Sequence, residues 1–280
     1  MKKKLSMLLL SVLILPLIAV AGGCGGESES AGNNGDANTL VYGSQDYTAI
    51  NPALYEHGEI NALLFAGLTS HDEENNVVPA LAESWDFNEE TLTYTFHLRE
   101  GLTFHDGEPL TAEDVEFTLN AILDEDNQSE IISNYTDIEE ITCPDDLTVE
   151  IRLSQANAAF PDYMSVGILP KHLLEGEDLT TSDFNQNPVG AGPYRLTEWD
   201  QGQSITMERF SNYYGGTPNI EKVIFKIVPD SDARAVQLES GEIDMAQITA
   251  KTAESLSENE DYAVYRMDTA DYRAIAYNFN

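Results

Sequence analysis

The chain is 280 residues long, and its 14 Lys or Arg face 49 Asp or Glu, giving a formal net charge of −35. That charge repels a phosphate backbone and excludes a nucleic-acid binder. A hydrophobic content of 42% is enough for a core and excludes wholesale disorder, while two cysteines cannot build a disulfide scaffold. The length fits one or two domains.

The chain opens on Lys2, Lys3 and Lys4, followed by an apolar stretch from Leu5 to Ala21 that only Ser6, Ser11 and Pro16 interrupt. Ala21-Gly22-Gly23-Cys24 comes next. A cationic start, a short apolar segment and small residues at its exit read as a secretory signal over residues 1–23. The apolar run is marginal for a span, which needs about 20 such residues. The small residues before Cys24 resemble a bacterial lipoprotein cleavage box, in which the cysteine is diacylated and becomes the new N-terminus. Ala21 stands where Leu is commonest in such boxes. An uncleaved membrane anchor is the alternative. Residues 24–38, rich in Gly, Ser and Asn, read as a flexible tether.

Loss of the signal removes three lysines and no acid, taking the charge to −38. The acidity is spread along the chain rather than gathered in a tail. It reads as adaptation to saline or alkaline medium, where salt screens self-repulsion.

Leu40 and Tyr42 alternate with polar neighbours in a strand that starts at Thr39, and Asn51-Pro52 marks a turn. Ile60, Leu63 and Leu64 predict a short helix from Glu59 to Gly67. Leu92, Tyr94, Phe96 and Leu98 alternate with polar residues as a half-buried strand. After the Asp106-Gly107 turn, Thr111 and Asp114 resemble a capping box for a helix with Val115, Leu119, Ile122 and Leu123 on one face. Cys143 reads as a small residue in a turn before Pro144, not as a nucleophile. Leu147, Val149, Ile151 and Leu153 predict another strand, and Pro170 starts a helical turn through Leu174.

The breaker cluster Asn187 to Pro193 precedes a hairpin of Tyr194–Glu198 with Ser204–Glu208. Val223 to Val228, largely apolar, suits the middle of a sheet. Ser231 is the expected cap of a helix to Glu239 with Gly241 as its stop, and Ile243 to Met245 returns as a strand. Tyr272 to Phe279 alternates as a terminal strand that looks cut off at Asn280. The pattern predicts a mixed α/β (α+β) body.

There is no Gly-x-Ser-x-Gly elbow, phosphate loop or His-Glu-x-x-His motif. His57, His71, His97, His105 and His172 are scattered. Among so many carboxylates, Glu139/Glu140 and Asp145/Asp146 read as solvated faces rather than a glycosidase pair. No catalytic residue, cofactor or metal site is assigned. An anchored, acidic, catalytically silent body is more naturally a receptor than an enzyme.

Residues 81–119, LAESWDFNEETLTYTFHLREGLTFHDGEPLTAEDVEFTL, strongly resemble the hallmark region of the family 5 extracellular solute-binding proteins. These are the oligopeptide-, dipeptide- and nickel-binding receptors of ABC importers. Thr39-Leu40-Val41 with Asn51-Pro52, NPVGAGPYRL at 187–196 and Ser240-Gly241-Glu242-Ile243-Asp244 match in the family's order.

The resemblance implies a periplasmic-binding-protein-like receptor of two lobes that closes around its ligand. Residues 39–53 and 184–280 would form the first lobe and residues 54–183 a subdomain inserted in it; the second lobe would lie beyond Asn280. Main-chain contacts to the ligand fall on Tyr55, Glu56, His57 and Gly58, in a loop a few residues shorter than in the oligopeptide receptors. Tyr272 and Tyr277 either line the pocket or belong to the core. The acid that holds a peptide's amino terminus would belong to the second lobe.

The leading expectation is a monomeric receptor, lipid-anchored through Cys24 on the outer face of the cell membrane. It would pass oligopeptides or dipeptides to ABC permease subunits. Nickel, oligosaccharide or another small solute remains open within the same fold. A secreted hydrolase and an adhesion or scaffold lipoprotein are alternatives of other classes.

Overall fold

The computed structural model describes residues 38–56 and 58–266. The predicted signal, Cys24, His57 and the terminal alternation with Tyr272 and Tyr277 lie outside the described residues. The first part of the fold comprises β1 (Thr39–Ser44), α1 (Gly58–Leu64), β2 (Thr69–His71), β3 (Val77–Pro79), β4 (Ala82–Asn88) and β5 (Thr93–Leu98). Next come α2 (Ala112–Leu123), β6 (Ile138–Asp145), β7 (Thr148–Leu153), α3 (Phe160–Tyr163) and α4 (Lys171–Leu174). The last part holds β8 (Tyr194–Asp200), β9 (Ser204–Arg209), β10 (Lys222–Ile227), α5 (Ser231–Ser240), β11 (Met245–Ala246) and α6 (Ala250–Leu256).

The strands form a five-stranded sheet in the order β11-β1-β10-β9-β8, a four-stranded sheet β4-β5-β7-β6 and the pair β2-β3. β1 runs parallel to both β10 and β11, and the β8-β9-β10 pairings are antiparallel. The mixed α/β class is as expected.

Local chemistry explains most of these elements. β5 and β7 alternate as read, with Tyr94, Phe96 and Leu98 and then Val149, Ile151 and Leu153 turned into the core. α2 packs Val115, Leu119 and Ile122 inward against β6 and β7. Each such side chain contributes about 1.5–3 kcal/mol of burial. The backbone N–H of Thr111 donates to Asp114 Oδ2 at 2.8 Å, closing the predicted capping box. β10 sits in the centre of its sheet with Val223 and Phe225 buried.

Several expectations need correction. Leu92 lies outside β5, in a turn at φ +55°. α1 ends at Leu64 rather than Gly67. Asp230, not Ser231, caps α5: its Oδ1 accepts from Ala233 N–H at 2.8 Å. The strand after Gly241 starts only at Met245, because the N–H groups of Glu242 and Ile243 are spent on Gln237 O. Cys143 stands within β6 rather than in a turn, and its Sγ donates to Ala112 O at 3.3 Å. Burial, aided by the Glu116 and Glu113 charges, pushes this thiol up to about 11, so it is inert at neutral pH.

The breaker cluster has a packing reason. Gly192 N–H donates to Leu64 O at 3.0 Å, binding the cluster to the end of α1. A Cβ on Gly190 would stand 1.9 Å from Leu64 O, and one on Gly192 would stand 2.5 Å from Leu63 O. Only glycine admits that approach.

Candidate functional site

The parallel strands β10, β1 and β11 finish on one side of their sheet, at Ile227, Ser44 and Ala246. In open sheets the carboxyl ends of parallel strands are where ligands bind. Tyr42 and Tyr47 pack on Phe225 there, with ring centroids 4.9 and 6.4 Å away. Ser44 Oγ donates to Tyr47 Oη at 3.3 Å. Glu59 in the first turn of α1 accepts from Tyr42 Oη at 3.3 Å and from Gln247 Nε2 at 2.8 Å, through the same Oε1. Arg234 of α5 donates to Gln247 O at 2.9 Å and to Val228 O at 2.9 Å, tying the chain after β11 to the chain after β10.

Burial first, and then the Glu59 charge, raises the Tyr42 phenol well above its ordinary range; burial likewise raises Tyr47. Both stay protonated at neutral pH, so they serve as donors and apolar surface. The cluster contains carboxylate, guanidinium, amide and phenol groups but no activated nucleophile with a base. It can orient a polar solute, and nothing in it breaks a bond.

The expected contact residues follow β1 directly. Asn51 is buried and donates through Nδ2 to Asn185 Oδ1 at 3.0 Å, while Ile50 N–H donates to Asn185 O at 2.9 Å. Tyr55 N–H returns to Asn51 O at 2.9 Å, and Asn61 Nδ2 donates to Tyr55 O at 3.3 Å. Glu56 is exposed, but its N–H is engaged by Glu130 Oε2 at 3.2 Å. Gly58 opens α1 with nothing within 4 Å of the position a Cβ would take. Tyr55 and Glu56 lie just before α1 in the chain and Gly58 directly precedes Glu59, whereas His57, Tyr272 and Tyr277 lie outside the described residues. Sequence reading missed the Tyr42–Glu59–Gln247 junction. Its members lie 17 and 188 residues apart, and no local pattern joins them.

His71 and His172 pair with Asp162 and Asp106 at 3.0 and 2.8 Å. Among the described residues no group of three His, Cys, Asp or Glu is placed to hold a metal ion, and no helix is long and apolar enough to cross a membrane.

The model of the bacterial extracellular solute-binding proteins, family 5 (middle), matches residues 76–280, and the chain belongs to that family. The family is non-enzymatic and extracytoplasmic. The chain is 33% identical over 275 residues to the oligopeptide-binding protein AppA of Bacillus subtilis (strain 168), a match covering 91% of this chain and 51% of AppA. Among solved structures, AppA from Bacillus subtilis in complex with a nonapeptide aligns with a TM-score of 0.74 at 32% identity, covering 79% of this chain and 46% of that one. NikZ from Campylobacter jejuni in complex with Ni(L-His) aligns with a TM-score of 0.76 at 36% identity, covering 80% of this chain and 46% of that one. The chain spans about half the length of the curated relatives it matches.

Proposed function

We propose that this chain is part of a lipid-anchored receptor that captures peptides outside the cytoplasmic membrane and hands them to an ABC permease. The likeness to a peptide-binding relative across most of the chain carries this reading. Residues 39–53 and 184–280 are read as one lobe and residues 54–183 as a subdomain inserted in it. The reading is supported by β1 lying between β10 and β11, while the four-stranded sheet is built wholly from the intervening chain. Tyr55, Glu56, His57 and Gly58, with Tyr272 and Tyr277, are the proposed contact residues. Extended peptide would be held there through its backbone, which leaves side chains free to vary. Cys24 is the proposed lipidated residue.

The test is mass spectrometry of what co-purifies with the receptor from its own cells. Intact peptides are expected. Bound nickel without peptide would favour the second reading, which rests on the likeness to NikZ. Shortened peptides would indicate a hydrolase, and the absence of any solute a scaffold. A Cys24→Ser variant is expected to leave the detergent phase, and its retention there would overturn the lipid anchor.

A further inference from the structure

Away from the strand ends lies a polar recess of about 260 Å³. Glu83 of β4 lines it, with Arg99, Glu100 and Thr103 from the segment leaving β5, and Phe210 and Tyr214 from the loop after β9. Arg99 is held there without a carboxylate. Its Nε donates to Ala80 O at 2.6 Å, and its guanidinium lies 5.5 Å from the centroid of the Tyr214 ring. Among the described residues no acid forms an ion pair with it, although Arg152 and Arg209 both meet glutamates. In a chain with 49 acids, this cation is placed so that both terminal nitrogens keep unspent donors.

A carboxylate suits Arg99, because guanidinium matches it in a fork. Glu83 and Glu100 are exposed and line the same recess. Their charges repel a phosphate or dicarboxylate and weaken a bare monocarboxylate, but they attract an ammonium group. Phe210 and Tyr214 add aromatic groups to the lining.

We propose that this recess binds a small zwitterion of the α-amino acid type. The carboxylate meets Arg99, and the ammonium lies toward Glu83 and Glu100. The site is separate from the strand-end cluster and does not depend on the peptide reading.

Calorimetric titration of the full chain with L-alanine at low ionic strength tests it. A dissociation constant of about 1 mM is expected, with acetate and methylamine each at least about tenfold weaker. Arg99→Gln should weaken L-alanine at least about tenfold. A variant carrying E83Q and E100Q should lose L-alanine affinity while acetate binds as well or better. The proposal is overturned if L-alanine shows no saturable heat up to about 50 mM. Acetate binding as tightly as L-alanine overturns it too, as does Arg99→Gln leaving the affinity unchanged, which would place the amino acid elsewhere.

Discussion

His105 holds Gly190 from both sides. Its backbone N–H donates to Gly190 O at 2.8 Å, and its Nδ1 accepts from Gly190 N–H at 3.2 Å. Its Nε2 donates to Gly192 O at 3.0 Å, so the ring is fixed as a single neutral tautomer. Burial lowers its pKa from 6.5 to about 4. A proton on Nδ1 would also face the Gly190 N–H, turning an acceptor into a second donor. The unfolded chain therefore binds this proton more readily than the folded one. The contribution of His105 is whole above pH 6.5 and is lost as pH falls toward about 4, by at most about 3 kcal/mol. Carboxylates titrate in the same window, so the readout is a difference. Urea denaturation from pH 7 to 4 should show the wild-type protein losing stability relative to His105→Gln, and parallel curves would refute the assignment.

Gly190 is the other half of that contact. A methyl group there would stand 1.9 Å from Leu64 O and 2.8 Å from Phe65 Cδ1. Backbone cannot yield as a flexible side chain can. Gly190→Ala should therefore destabilise the fold by at least about 3 kcal/mol, or prevent it from forming. Gly202, at φ +74° with open space around it, is the control: alanine there should cost only about 1 kcal/mol of backbone strain. Equal losses for the two variants in chemical denaturation would remove close approach as the explanation.

These contacts show where sequence reading stops. β5, β7, the β8–β9 hairpin and the capped start of α2 are written in local patterns, in period two or in residues three apart. β4 hides its alternation because a register irregularity between Ala82 and Ser84 shifts the phase before Trp85 and Phe87 turn inward. β6 has two such irregularities and carries Glu139 and Glu140 on an edge, so its pattern reads as a charged loop. β11 is two residues long and exists only because β1 offers it a partner. Tyr55 to Gly58 were placed by resemblance. Glu59 shows only as a first-turn acid, and the Tyr42 and Gln247 that meet it are set by the sheet.

Asp114 couples α2 to the first residue of α4. Its Oδ2 accepts from Thr111 N–H at 2.8 Å and its Oδ1 from Lys171 N–H at 3.0 Å. It is 5% exposed, so removing the side chain leaves two amide donors with little access to water. Asp114→Ala should cost about 2–4 kcal/mol. Asp114→Asn keeps one acceptor and turns an amide toward the other N–H, so it should cost a similar or slightly smaller amount. Thermal denaturation of both variants checks this, and a loss below about 0.5 kcal/mol for the alanine variant would count against a buried double acceptor.

The charge balance gives the last prediction. The ion pairs that offset it are partly exposed: Lys171 with Glu113, Arg209 with Glu221, Lys226 with Glu242, and Arg152 with Glu139 and Glu140. Exposed pairs contribute about 0–1 kcal/mol each, and salt weakens them. Most of the 49 acids have no cation to meet, since the chain holds only 14 lysines and arginines. Salt therefore screens more repulsion than attraction, and the Debye length falls from about 10 Å at 0.1 M to about 3 Å at 1 M. A net gain of about 2 kcal/mol corresponds to a melting temperature roughly 4–8 °C higher in 1 M NaCl than in 0.05 M. KCl should act equally, because screening depends on ionic strength and not on the cation. A melting temperature that stays flat or falls as salt is added would mean that the surviving ion pairs outweigh the self-repulsion of the acidic surface.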